Sequence, residues 1–111
     1  MKIVISILFV FVIYSSGVFA SGQSGLITQI NVRSDGLHWV VLLGERSDMP
    51  ACTQGHYKYW MIKDENTTYG KSQFSMVLAA YLSGKKVTII GSGACNRWGD
   101  GEDIETLVIE N

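Results

Sequence analysis

A mainly β domain with a single helix, in the order β-β-β-α-β-β, is the fold class that the sequence predicts. Three observations carry it. Apolar and polar residues alternate in short runs between Leu26 and Ile62, the run from Lys71 to Ser83 changes to spacings of three and four, and two more β-rich runs follow Gly84.

Taken in order, Ser21 to Gly25 is a polar, glycine-bearing start. Leu26, Ile27, Ile30 and Val32, with Thr28, Gln29, Asn31 and Arg33 interleaved, then read as a half-buried strand. Ser34-Asp35-Gly36 supplies an Asp-Gly turn, so Leu37 to Leu43 should return antiparallel to the first strand. Gly44 to His56 is loop-like and holds Cys52. A third strand follows over Tyr57 to Ile62, with Tyr57, Tyr59 and Met61 on one face and Trp60 and Ile62 on the other. Past the turn-rich Asp64 to Gly70, residues Phe74, Val77, Leu78, Tyr81 and Leu82 are expected on one helical face, and Gly84 suits the left-handed closing position. Val87 to Ile90 and Ile104 to Ile109 are the closing strands, separated by a Gly91 to Gly101 loop that carries Cys95 and Trp98. That order matches the small Greek-key barrel called the oligonucleotide/oligosaccharide-binding (OB) fold. An open α+β sheet is the alternative, because strand order alone does not show closure.

The first 20 residues are set apart from this pattern. Lys2 precedes the apolar run Ile3 to Tyr14, and Ser15-Ser16-Gly17 leads to Val18-Phe19-Ala20, with Val18 and Ala20 at the third and last positions before a cut. The prediction is a secretory signal peptide over 1–20, a binding domain over 21–111, and a secreted or periplasmic protein. The apolar run falls short of the roughly 20 residues that a bilayer span requires. With Lys2 gone, acids outnumber Lys and Arg, and only Lys85-Lys86 are adjacent cations, which argues against a nucleic acid partner. Export would place Cys52 and Cys95, the only two cysteines, in an oxidising compartment. A disulfide between them is expected, closing a loop of about 40 residues for roughly 3–4 kcal/mol.

Motifs for catalysis and cofactors fail residue by residue. Gly70-Lys71-Ser72 ends like a phosphate-binding loop, but Glu65 stands where that motif demands glycine. Gly91-Ser92-Gly93 follows a strand but leads into no helix, so it reads as a flexible turn beside the disulfide. His38 and His56 have no partners at ligand spacing, and His38 is expected as a hydrogen-bonded structural imidazole. No serine has an activating context. Asp100, Glu102, Asp103 and Glu105 are expected to form a solvated, charged rim rather than an acid/base pair. No catalytic residue, metal site or cofactor is predicted. Trp39, Tyr57, Tyr59, Trp60, Tyr69, Phe74, Tyr81 and Trp98 exceed what a small core absorbs, and rings with a polar edge suit sugar recognition.

Ser24-Gly25-Leu26-Ile27-Thr28-Gln29, Ala51-Cys52 and Ala80 to Val87 resemble the receptor-binding B subunits of the subtilase cytotoxin type, over most of residues 21–111. The chain departs from them in lacking their cysteine-containing C-terminal segment and in the loop that holds Cys95. The resemblance implies the barrel named above, a ring-shaped homopentamer, binding of cell-surface glycans, sialylated ones among them, and delivery of a separate enzymatic A subunit. It also implies that Ser24 matches a glycan-contacting serine and Tyr81 a tyrosine near the helix end, with Glu45 a looser candidate ligand-binding residue. A free-standing periplasmic or secreted binding protein, such as an enzyme inhibitor, is the alternative on the same barrel.

Overall fold

The structure, a computed structural model, describes residues 21–53 and 59–111. Its elements are β1 (Gly22–Gly25), β2 (Ile27–Val32), β3 (His38–Leu42), β4 (Arg46–Ser47), a 3-10 turn (Ala51–Thr53), β5 (Tyr59–Met61), α1 (Thr68–Ser83), β6 (Val87–Gly91) and β7 (Glu102–Ile109). The expected signal segment, His56, and the start of the expected third strand, Tyr57 and Lys58, lie outside the described residues.

These strands form one sheet in the order β2-β3-β5-β7-β6-β1-β4. Because β1 and β2 are separated by Leu26 alone, the sheet leaves along one half of the first strand and comes back to its other half, so it curls into a barrel of OB-fold type. β2, β3 and β5 form the antiparallel meander, β6 and β7 the closing pair, and β5 meets β7 in parallel. Gly25 permits the bend between the two halves, since a Cβ there would collide with the Leu43 carbonyl oxygen. The Asp35-Gly36 turn joins β2 to β3 with Gly36 at φ 93°.

Inside the barrel sit Val40, Leu42, Trp60, Ile62, Val87, Ile89, Ile104 and Leu107, closed at one end by Val77 and Ala80 of α1. Along β7 the inward residues run Glu102, Ile104 and then Leu107, which breaks strict alternation. A bulge opposite Ile90 and Gly91 inserts the extra residue and flips the parity.

α1 starts earlier than its apolar spacing suggests. Thr67 caps it, accepting from the Gly70 amide at 3.1 Å, and Gly84 closes it in the left-handed region at φ 68°. The fully buried stripe is Gly70, Gln73, Val77 and Ala80, whereas Leu78, Tyr81 and Leu82, expected inward, are exposed. Gly70 explains the rotation: its missing side chain lets the first turn press against the Asp64 carbonyl, and that contact sets the inward face. No helix among the described residues is long and apolar enough to cross a membrane.

Candidate functional site

Beneath β1 and β4 lies a buried polar network, which takes in two of the four acids expected at a solvated rim. Glu102 and Asp103 are fully buried, not part of a solvated rim. Glu102 accepts from Arg46 at 2.8 Å, from the Gly93 amide at 2.9 Å and from the Ser21 hydroxyl. Arg46 in turn lies over the Trp60 ring, 3.7 Å from its centroid. Burial pulls the Arg46 guanidinium below its ordinary range, and Glu102 opposes that pull. Trp60 donates its indole hydrogen to Gln23 at 2.8 Å, and Gln23 donates to the Leu42 and Gly44 carbonyls. Asp103 accepts the Asn96 and Arg97 amides at 3.0 and 3.2 Å, which shapes the loop after β6. Glu102 is satisfied inside the barrel by Arg46 and Ser21 from distant segments, a pairing that leaves no mark in local composition, whereas Asp103 is satisfied by amides of its own neighbouring loop.

This network holds β4 against β1, pairing Gln23 with Arg46 and Gly22 with Ser47, while β1 pairs on its other side with β6. Above it runs an open groove of about 550 Å³, lined by Ser24 and its β1 neighbours, Glu45, Ser47 and Thr88 to Ile90. Ser24 and Thr88 are register partners, with their hydroxyls 2.7 Å apart, and Thr88 donates onward to the Glu110 carboxylate. Thr88 has one hydroxyl hydrogen and spends it on Glu110, so Ser24 must donate to Thr88. The Ser24 oxygen is left as an acceptor facing the groove. Glu45 adds a carboxylate, and no cation lines the groove among the described residues. The arrangement accepts hydrogen bonds from hydroxyls and, among the described residues, brings no cation to an anion.

Of the three residues singled out in sequence, Ser24 and Glu45 therefore line one groove. Tyr81 does not join them: it projects from α1, 49% exposed, and is absent from the groove lining. Thr88 and Glu110, which set the polarity of Ser24, were missed. The Thr88 signal was legible only once the β1–β6 register was known.

Cys52 and Cys95 form the expected disulfide, tying the 3-10 turn to the loop after β6. That loop is pinned, not the flexible turn expected from its glycines. His38 bonds through Nδ1 to the Gly36 carbonyl and meets Phe74 edge to face, a structural imidazole as expected. Among the surplus aromatics, Trp60 is buried, Tyr69 and Tyr81 are exposed on α1, and Trp39, Tyr59 and Trp98 gather around a second concavity that shares no lining residue with the groove. No protein-family model matches the chain, and no curated protein matches it.

Proposed function

We propose that this is a secreted, non-catalytic glycan-binding protein of the B-subunit kind, which recognises cell-surface oligosaccharide through the β1–β4–β6 groove and acts as a ring, with an enzymatic A subunit as its cargo. The observation that carries the reading is the hydroxyl relay from Ser24 through Thr88 to Glu110, opening beside Glu45. It presents fixed acceptors in a shallow, solvent-reached trough, which suits the hydroxyl edge of a sugar. On a sialylated glycan these acceptors would take the sugar's hydroxyls rather than its carboxylate. The Cys52–Cys95 disulfide supports an oxidising compartment. Exposed Leu78, Tyr81 and Leu82 on α1 supply apolar surface for subunit contacts in a closed homopentamer.

The test is a glycan array followed by calorimetry with lactose and 3′-sialyllactose as monovalent ligands, read together with mass from light scattering. Ser24→Ala and Glu45→Gln should each weaken binding by roughly 1–3 kcal/mol. Monovalent ligands are needed because a ring would mask such a loss through avidity. Parent-like affinity in both variants overturns the groove assignment, and an array that retains no glycan overturns the function. A mass of one subunit at micromolar concentration overturns the ring and favours the free-standing inhibitor.

A further inference from the structure

The second concavity holds about 190 Å³ and is lined by Trp39 of β3, Tyr59 and Met61 of β5, Leu37 and Arg33 of the β2–β3 turn, and Trp98 of the 92–101 loop. Three aromatic rings from three chain segments converge there, and what holds them is unusually thorough for a surface loop. Cys95 is bonded to Cys52, the Asn96 and Arg97 amides are held by buried Asp103, and Arg97 makes a two-toothed ion pair with Glu65 at 3.0 and 2.8 Å. Gly101 presses against Met61 and Tyr59, where a Cβ would not fit, and pairs back with Trp98. Tyr59 donates its phenol hydrogen to Asp100, and Arg33, gripped by Asp35 at 2.9 and 2.6 Å, lies 4.6 Å over the Trp98 ring. Yet after all this bracing Trp98 is still 38% exposed. A loop that only sealed the barrel would turn that ring inward. Rigid presentation of a half-open indole is the arrangement that lowers the ordering cost of a ligand.

We infer that this cleft is a carbohydrate subsite for one neutral hexopyranose ring, stacked by its C–H face on the indoles of Trp39 and Trp98. Its size sets the ligand at a single ring, since pockets for larger ligands run to about 300–1,000 Å³. Charge sets the ring as neutral: Arg33 is the one charged residue that lines the cleft among the described residues, and its pairing with Asp35 leaves no net positive charge to draw an acidic sugar. Polar groups at the rim fit hydroxyls. Asp35 occupies two guanidinium N–H donors of Arg33 and leaves others for a sugar oxygen, while Asp100 retains acceptor capacity beyond the Tyr59 bond. The subsite shares its ligand class with the proposed function but none of the groove's residues, and it is tested separately.

The experiment uses the unmodified chain. Its three tryptophans give three indole N–H resonances, and Trp60, buried and bonded to Gln23, is a built-in control. Methyl β-D-galactopyranoside and methyl β-D-glucopyranoside, titrated to high millimolar concentration, should shift the Trp39 and Trp98 indole signals and leave Trp60 in place. The methyl glycoside of N-acetylneuraminic acid should shift them no more strongly. Trp98→Ala should weaken the titration about tenfold, with Trp98→Phe intermediate, and Ser24→Ala should leave it unchanged. Static Trp39 and Trp98 signals with both neutral glycosides, or a stronger response to the acidic one, would overturn the subsite. If Ser24→Ala abolishes the shifts while Trp98→Ala does not, the sugar sits in the groove alone and the cleft is refuted. If calorimetry shows no groove binding while the indoles still shift, the cleft stands and the groove reading falls.

Discussion

Arg46 stacks on Trp60 and pairs with Glu102, and Arg33 stacks on Trp98 and pairs with Asp35. The two constellations use the same three chemical groups, and solvent separates them. The Arg46 and Glu102 side chains are 3% and 0% exposed, whereas those of Arg33 and Asp35 are 43% and 51% exposed. In the first, every bond must be made because water is not there to replace it. Glu102 accordingly collects donors from three segments, Arg46, Gly93 and Ser21. In the second, water competes with Asp35 throughout, so the pair positions a guanidinium at modest cost and leaves it usable. One arginine–tryptophan unit thus locks the barrel beneath the groove, and the other furnishes a wall of the cleft.

The buried member gives the largest expected effect. Glu102→Ala should destabilise the fold by about 3–5 kcal/mol in urea unfolding, because it strands the Arg46 charge among apolar neighbours. Replacing both partners together, Arg46→Met with Glu102→Leu, should recover much of that loss, since no charge is then left unpaired. A Glu102→Ala cost below about 1 kcal/mol would mean that water reaches Arg46, and the contrast between the two constellations would collapse.

Next in size is the disulfide, which belongs to the exposed constellation because Cys95 lies in the loop that carries Trp98. Cys52→Ala with Cys95→Ala should cost about 2–4 kcal/mol. The comparison is sharpened by where the loss shows. Hydrogen exchange should speed up across residues 92–101 well before it does in β6 or around Trp60. Uniform loosening of both regions would show that the bridge constrains the whole chain and does not specifically brace the cleft.

The same contrast explains what could be read from the chain. Alternation, the helical spacing and Gly84 all report on residues within one element, and the strand order that follows from them leads to the barrel. The disulfide was legible because only one pairing exists for two cysteines. Three features depended on residues far apart in sequence: the inward turn of Glu102, the bulge that flips β7, and the strand β1 over Gly22–Gly25, where a polar start is expected and pairing with β6 and β4 makes a strand. A carboxylate in a glycine-flanked loop looks solvated until Arg46, more than fifty positions away, is placed against it. At the groove, Ser24 and Glu45 were chosen from a resemblance, while the relay through Thr88 and Glu110 needed the register. The cleft was half-visible, as a surplus of aromatic residues with no indication of which would meet.

The smallest effect concerns acid. The Arg97 guanidinium beside Glu65 holds its carboxyl below the usual glutamate range, and Arg33 does the same for Asp35. A carboxyl depressed in the folded state contributes stability that is complete above its unfolded value and is lost as pH falls through its native one. Between those limits the unfolded chain binds more protons, so stability must rise with pH there. Because both pairs meet solvent, the slope should be shallow and should flatten in 1 M salt. Glu65→Gln should remove part of the acid slope in a series of melting temperatures from pH 7 to pH 2, and it should free the Trp98 loop without disturbing Trp60. An acid slope unchanged in Glu65→Gln and Asp35→Asn together would place the acid sensitivity elsewhere, and the exposed constellation would then contribute geometry to the cleft without contributing measurably to the fold.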